Sequence, residues 1–329
     1  MKTRTIDVGP LWAAIPAGGK MVVRHLPFKV TFLKSTDGNE LISFYFGTKI
    51  ELTLPSTRGY ETEINQEEEG TELLLKRAEL NDDSGLFFTL AEDLVCIGDN
   101  CAEMTQGECA SALVSRIEAW QQFMKAEGKK LSDQKELGLF GELFVLRDWL
   151  MKGGCPSAFS NIWTGPAHGA RDFSFPNGEA LEVKTTLGEK PLKVTIESLE
   201  QLSTEDFPNL SLVTVQVSVV DEGLSLFNLY EDICNLLSHG TLKLEFESIL
   251  VSIGYRPRNP GRDLRLFMVN SVRSFKAETL PRLLPNQIKG LVNAKYDILV
   301  MNEDQTLVEN IKEEDFEVRM GHFTEIVKG

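Results

Sequence analysis

The sequence predicts an α/β protein in which an antiparallel β-rich domain precedes a domain of mixed helices and strands. Residues 21–98 alternate β-prone apolar runs with turn residues. From about residue 102 onward, apolar side chains recur at helical spacing and further apolar strands follow. Because 329 residues exceed the size of one ordinary domain, we place a boundary between residues 1–105 and residues 106–329.

The composition is that of an ordinary globular protein, with 42% hydrophobic and 25% charged residues. The net charge of −15 excludes nucleic-acid binding through bulk charge, because proteins that bind in this way are basic. The charge is uneven, since residues 129–201 carry nine basic and ten acidic side chains. A local contact with nucleic acid therefore stays open.

The cysteine and histidine patterns argue against disulfides and against Cys- or His-based metal sites, and the hydropathy pattern indicates where the protein is located. Five cysteines occur without a C-x-x-C pair, which argues against a disulfide framework and a zinc ribbon. Four scattered histidines argue against a His-based metal centre. No apolar run reaches the ~18 residues needed to span a bilayer, and a signal-peptide pattern is missing. We therefore expect a soluble, cytoplasmic protein without membrane contact.

The elements of the first domain follow from β-prone runs and turn chemistry. Asp37 and Gly38 supply a turn between two such runs. The predicted strands are residues 21–23, 28–33, 41–46, 49–54 and 73–76. Apolar residues at three- and four-residue steps, among them Leu113, Ile117 and Trp120, then predict a helix over about 102–127.

The second domain begins with a helix for which Ser132 is the predicted N-cap and which ends at Gly153. Residues 171–186 have the pattern of a β-hairpin. The remaining predicted elements are a strand over 210–220, a helix over 226–237, and strands over 242–255 and 264–275.

Glu142 is a carboxylate on an otherwise apolar helix face. At 100° per residue it shares that face with Leu139, Val145, Leu146 and Trp149. A buried carboxylate must be neutral, paired with a cation or bound to a metal ion. On the helix alone, a structural ion pair with Arg or Lys is the simplest interpretation.

The turn sequence Phe-Pro-Asn-Gly at 175–178 predicts a three-residue hairpin loop that sets Asp172 opposite Glu182. Opposite residues of an antiparallel pair lie on one face. Alternation along the second strand adds Lys184 and Thr186 to that face. We therefore expect two carboxylates and one ammonium group to converge.

Such a convergence has a chemical use. Two neighbouring carboxylates repel each other unless a divalent cation lies between them. Oxygen ligands suit Mg²⁺, which keeps several waters, binds phosphate and lowers the pKa of bound water. Lys184 supplies positive charge for the scissile phosphate or for developing negative charge. The set is sufficient for metal-dependent hydrolysis of a phosphodiester.

These segments resemble the PD-(D/E)XK nuclease superfamily over roughly residues 130–205. More narrowly, they resemble the bacterial "PD-(D/E)XK motif protein" group found with restriction and phage-defence genes. The residues that carry the resemblance are GLFGEL at 138–143, RDF at 171–173 and LEVKTT at 181–186. Arg171 stands where the name motif has Pro, at a position that varies widely in the superfamily.

The resemblance implies a restriction-endonuclease-like core, with a mixed central sheet flanked by helices, and DNA endonuclease activity that depends on Mg²⁺, with Mn²⁺ as a substitute. It makes Asp172 and Glu182 metal ligands, Lys184 the catalytic lysine, and Glu142 an auxiliary acidic residue at the metal. Double-stranded DNA is the implied substrate, in a restriction or antiviral defence system. A cytosine methyltransferase and a MutL-like ATPase are the partners that the resemblance suggests, and a homodimer suits the cutting of two antiparallel strands.

Further candidate DNA contacts flank this set. The basic window 255–276 has a local net charge of +5, and its Arg-rich loop suits contacts to backbone or bases. The candidates are His168, Thr186, Gln201, Arg256, Arg258 and Arg262. For each of them, an ordinary surface or structural role is the alternative. Trp120, Trp149 and Trp163 are expected in the core.

Two other functions stay open. The first is a non-cleaving DNA-recognition or assembly subunit of a bacterial defence complex. The second is an RNA-cleaving enzyme. The complete E…D…E-x-K set favours the endonuclease, because a subunit that does not cleave would tolerate the loss of Lys184.

Overall fold

The computed structural model of the chain describes residues 8–25, 27–54, 60–78, 84–101, 103–125, 131–163, 171–187, 193–238, 240–257, 265–284 and 293–300. The chain divides into two compact units. Unit 1 comprises Met1–Lys130 and Ser238–Pro260, and unit 2 comprises Leu131–Leu237 and Gly261–Gly329. Within the described residues, no helix combines the length and the apolar character needed to traverse a bilayer.

The secondary structure alternates between sheet-forming and helical segments. In chain order the helices and strands are α1 (Val8–Ala14), β1 (Lys20–Arg24), β2 (Lys29–Lys34), β3 (Glu40–Phe46), β4 (Tyr60–Gln66), β5 (Thr71–Arg77), α2 (Ser84–Ile97), α3 (Gln106–Lys125), α4 (Asp133–Met151), α5 (Phe159–Ile162), β6 (Phe173–Ser174), β7 (Glu179–Thr186), β8 (Lys193–Ile196), β9 (Asn209–Val220), α6 (Leu226–Leu237), α7 (Gly240–Ser252), β10 (Leu266–Lys276) and β11 (Tyr296–Leu299). Short 3-10 helices lie at Gly98–Asn100, Pro156–Ala158, Glu200–Leu202 and Ala277–Thr279.

Unit 1 contains a five-stranded antiparallel sheet in the order β1-β2-β3-β5-β4. Phe32, Phe44 and Leu75 are among its fully buried side chains, and they belong to one apolar core with residues of α2 and α3. The N-terminal antiparallel β structure predicted from the sequence is therefore confirmed at β2, β3 and β5.

One predicted strand and one part of the predicted β-rich region are helical in unit 1. Ser84–Ile97 lies within the predicted β-rich region but forms α2, and the strand predicted over 242–255 is wrong because Gly240–Ser252 forms α7. In α7 the buried Leu244, Ser248 and Val251 recur at four- and three-residue steps, which is helical spacing. Continuous apolar runs do not distinguish a buried helix from a strand, and tertiary packing decides between them.

The predicted strand over 49–54 is also wrong. Its residues are described without strand pairing. The main chain of Ile50 is bonded to side chains instead: its N–H donates to Thr71 Oγ1 at 2.9 Å, and its carbonyl accepts from Gln66 Nε2 at 3.0 Å. These side-chain bonds satisfy the backbone groups that a strand ladder would use.

The division into compact units differs from the predicted boundary after residue 105. Unit 1 includes α3, which the sequence analysis assigned to the second domain, and also α7. Buried Arg116 on α3 explains this grouping, because its guanidinium bonds Glu247 Oε2 at 2.6 Å and Ser248 Oγ at 3.2 Å on α7. Long-range contacts of this kind leave no signature in local sequence.

Unit 2 is built on a four-stranded mixed sheet in the order β10-β9-β7-β6. Strands β7 and β9 are parallel, and the two outer pairs are antiparallel. A second, two-stranded antiparallel sheet joins β8 and β11. The predicted N-cap of α4 is confirmed, since Ser132 Oγ accepts from the N–H of Lys135 at 3.3 Å. The protein is thus of mixed α/β class, as the sequence predicts.

Candidate active site

The hairpin of β6 and β7 has the register that the turn sequence predicts. Phe173 pairs with Leu181, and the N–H of Phe175 donates to the carbonyl of Glu179 at 2.8 Å. Gly178 has φ +83°, the left-handed conformation that this loop requires at its last position. One step beyond the Phe173 pair, the same register sets Asp172 opposite Glu182.

The face of β7 that carries Glu182 is identified by the packing of α4. A Cβ atom at Gly141 would overlap Thr185 Oγ1 and would lie 3.4 Å from Val183 Cγ1, so α4 packs closely on the face of Val183 and Thr185. Glycine at 141 permits this close approach. Because side chains alternate along a strand, Glu182 and Lys184 lie on the opposite face.

Two of the predicted site residues form a direct ion pair. Glu182 Oε1 lies 3.0 Å from Lys184 Nζ, and the Glu182 side chain is almost fully buried. Asp172 Oδ2 accepts a hydrogen bond of 2.6 Å from the N–H of Val183. This bond fixes the Asp172 carboxylate against β7, next to the Glu182–Lys184 pair.

Glu142 is held by a residue that the sequence analysis assigned only to the core. Trp163 Nε1 donates to Glu142 Oε2 at 2.9 Å, and both side chains are buried. An isolated β-bridge between Trp163 and Phe173 places the indole beside the strand that leads from Asp172. Among the described contacts of Glu142 there is no ion pair with Arg or Lys. The bond to the Trp163 indole stands where the helix alone suggested a structural ion pair. The role of Trp163 as hydrogen-bond donor to Glu142 becomes visible only in the tertiary structure, where Trp163 pairs with Phe173.

The carboxylates form one electrostatic cluster. Burial raises the pKa of Glu142 well above its ordinary value, and the negative charges of Asp172 and Glu182 raise it further. Burial also raises the pKa of Asp172, against the opposing effects of the Val183 N–H and of Lys184. Burial and Asp172 raise the pKa of Glu182 to about 7, although Lys184 lowers it. The four residues that the sequence places together are therefore within electrostatic range of one another.

These pKa values predict how the stability of the metal-free protein depends on pH. An acid whose pKa is higher in the folded than in the unfolded protein stabilises the fold below the unfolded value, and this stabilisation is lost as the pH rises through the folded value. For Glu182 the window extends from about 4.5 to about 7. Glu182→Gln is therefore expected to stabilise the protein at pH 8, on the order of 3 kcal/mol, and to change little at pH 4.

The measurement is thermal unfolding in EDTA across this pH range. Glu179→Gln serves as the control, since Glu179 lies on the same strand. Its carboxylate accepts an exposed hydrogen bond of 3.0 Å from Asn177 Nδ2 in the loop. A Glu182→Gln variant that is less stable than wild type at pH 8 would show that the ion pair with Lys184 outweighs the cost of burying the charge.

The carboxylates of the site fit a metal ion that has two protein ligands. Among the described residues, no three His, Cys, Asp or Glu side chains lie close enough together to form a metal-binding group. Glu142 is turned to Trp163, which explains why the three carboxylates do not meet as the predicted ligand trio. Mg²⁺ is commonly held by one or two carboxylates, with waters and substrate phosphate completing its shell. Asp172 and Glu182 fit that two-carboxylate pattern.

The remaining candidate residues are placed differently. Thr186 follows Lys184 on the same face of β7. Gln201 Oε1 accepts from the N–H of Glu197 at 2.7 Å, within a local turn. Arg256 lies in unit 1, its guanidinium 5.5 Å from the ring centroid of Trp120. His168, Arg258 and Arg262 lie outside the described residues. DNA contact by any of these six residues stays a prediction.

The chain matches a protein-family model. Residues 28–301 match the model of family DUF4420, described as "Putative PD-(D/E)XK family member". The matched range includes the helix of Glu142 and both strands of the hairpin. No curated protein and no solved structure matches the chain.

Proposed function

Since the chain belongs to the DUF4420 family of PD-(D/E)XK proteins, we propose that it is a Mg²⁺-dependent DNA endonuclease that hydrolyses phosphodiester bonds. Membership of this superfamily indicates a nuclease-like function. The choice of DNA, of Mg²⁺ and of internal cleavage goes beyond that indication and belongs to the proposal. The two neighbouring carboxylates of the hairpin support a divalent cation.

One observation carries the proposal. The hairpin register brings Asp172, Glu182 and Lys184 to one place on β7, with Glu142 within electrostatic range. Buried acids that repel one another cost stability, and structural ion pairs would satisfy them more simply. Lys184 and Arg171 both act on Asp172 and Glu182, so two cations stand against three carboxylates and acids outnumber bases in the cluster. A divalent cation is the natural complement of such a cluster.

Each residue has a defined role in this proposal. Asp172 and Glu182 would hold the cation, which when bound lowers the pKa of water and offsets charge on the phosphate. The Val183 N–H orients the Asp172 carboxylate, and the Trp163 indole orients that of Glu142. Lys184 contacts the phosphate with its ammonium group and stabilises negative charge that develops there. Its attraction to Glu182 keeps that ammonium group in position before substrate binds.

The biological setting that we propose is a bacterial restriction or antiviral defence system. The resemblance to defence-associated proteins supports it, together with an acidic net charge that disfavours binding to random DNA. We also propose a restriction-endonuclease-like core for unit 2, supported by its mixed sheet. Double-stranded DNA as substrate, a homodimer, and methyltransferase or ATPase partners belong to the same proposal.

Cleavage of supercoiled plasmid tests the function directly. We expect nicking or cutting in Mg²⁺ or Mn²⁺, none in EDTA, and loss of activity by at least about 100-fold in Asp172→Asn. Mg²⁺ is also expected to raise the Tm of the wild-type protein and not that of Asp172→Asn, because a ligand that binds only the native state stabilises it.

Asp297→Asn is the matched control, since this exposed aspartate pairs with Lys193 on the two-stranded sheet. Methylated and unmethylated plasmids are compared in parallel. Absence of cleavage on both, with DNA binding retained, would favour the non-cleaving subunit. Cleavage of RNA without cleavage of DNA would overturn the choice of substrate.

A further inference from the structure

Arg273 is a buried cation for which the described residues provide no partner. It lies on β10, and its residue is 4% exposed. Its Nε atom is buried without a hydrogen-bond partner, and no described carboxylate forms an ion pair with it. An uncompensated buried charge is strongly unfavourable, so proteins rarely keep one without a use.

The sheet register places Arg273 in line with the candidate active site. Lys184 on β7 pairs with Thr214 on β9, and Thr214 pairs with Arg273 on β10. Residues paired across neighbouring strands lie on the same face of a sheet. Two strand spacings separate the Cα atoms of Lys184 and Arg273, a distance of about 10 Å. All three residues therefore lie on the face of the sheet opposite α4.

Thr214 adds a second unsatisfied group between the two cations. Its residue is 1% exposed, and its Oγ1 atom is buried without a partner. A hydroxyl and a guanidinium on one face can together donate hydrogen bonds to the oxygens of an anion. Burial lowers the pKa of Arg273, yet a guanidinium stays protonated in proteins. Thr214 Oγ1 and Arg273 Nε are thus hydrogen-bond donors without an acceptor, and Arg273 adds positive charge.

We propose that Arg273 and Thr214 form an anion site that binds a backbone phosphate of the DNA, next to the phosphate that Lys184 contacts. This inference rests on the proposed function for the identity of the anion. Arginine is suited to phosphate because its planar fork donates two parallel hydrogen bonds. An anion site about 10 Å from Lys184 would fix the path of the substrate strand across the sheet.

DNA binding without cleavage tests the site. Fluorescence anisotropy of a labelled duplex is measured in EDTA over a range of salt concentrations, for wild type, Arg273→Met, Thr214→Val and Lys276→Met. Arg273→Met keeps the aliphatic stem and removes the charge. Lys276→Met removes the same charge from an exposed residue of the same strand, on the other face. We expect a loss of affinity of about 10-fold or more for Arg273→Met, with a salt slope smaller by about one. Thr214→Val loses less, and Lys276→Met changes affinity less than about 2-fold.

Thermal unfolding separates this role from a structural one. Without DNA, Arg273→Met is expected to be at least as stable as wild type, because methionine replaces an uncompensated charge. A lower Tm together with unchanged duplex affinity would overturn the inference. If Arg273→Met does not fold, Thr214→Val and Arg273→Lys decide the matter: unchanged affinity and salt slope in both would overturn it. Stabilisation by inorganic phosphate that Arg273→Met abolishes, with duplex affinity unaffected, would overturn the assignment to DNA. Arg273-dependent duplex binding by a protein that does not cleave would support this site while overturning the endonuclease.

Discussion

Lys184→Ala is expected to slow Mg²⁺-dependent plasmid cleavage by about 100- to 1,000-fold, because one preorganised group that stabilises developing charge is worth that much in rate. The lysine is positioned by its bond of 3.0 Å to Glu182 Oε1 on the same strand. Its removal leaves the hairpin register intact, because that register depends on main-chain bonds of β6 and β7. We therefore expect the fold to persist while the rate falls.

Lys295→Ala provides the matched control for this prediction. Lys295 is exposed and pairs with Glu197 at 2.8 Å, so its removal takes the same charge from the surface of unit 2. Initial rates are measured with both variants at equal protein concentration, and folding is checked by thermal unfolding. A Lys184→Ala protein that cleaves as fast as wild type would show that the lysine is not the catalytic one.

Arg116→Leu is expected to destabilise unit 1 by about 3–5 kcal/mol, because it breaks a buried ion pair from one side. Arg116 is 1% exposed. Its guanidinium donates to both carboxylate oxygens of Asp93 at 3.2 Å and to Glu247 Oε2 at 2.6 Å. Without the arginine, Glu247 loses its ion pair of 2.6 Å in the core formed by α3 and α7.

Urea unfolding measures this loss as a shift in the midpoint at constant slope. Arg77→Leu is the control within the same unit, because the Arg77–Glu40 pair is only partly buried and is worth about 1 kcal/mol or less. The double variant Arg116→Leu with Glu247→Leu should recover part of the loss, since it also removes the buried acid that has lost its arginine. A loss below about 1 kcal/mol for Arg116→Leu would contradict the assignment.

The convergence of the site residues is predictable from sequence because it is local. The loop at 175–178 determines which residues of two short strands face each other, and strand alternation then decides their faces. Asp172 and Glu182 meet for this reason, and the register of the folded hairpin confirms it. The burial of Glu142 is likewise confirmed, since helical periodicity alone places it among apolar residues.

Partners that are distant in sequence are not predictable in this way. Trp163 reaches Glu142 through a β-bridge to Phe173, and nothing near residue 163 indicates it. Arg273 joins the face of Lys184 because β9 lies between β7 and β10, which is a matter of strand order. The basic window drew attention to Arg256, yet that residue belongs to unit 1.

The sequence by itself determined the α/β class, the hairpin register and the set of Asp172, Glu182 and Lys184. These features depend on interactions between residues close along the chain, where turn chemistry and periodicity act directly. Tertiary structure alone decided that α7 is a helix of unit 1, that Glu142 binds an indole and that Arg273 shares the face of the site. These outcomes depend on which distant surfaces pack together, and the free energy of that packing is not encoded in any local pattern.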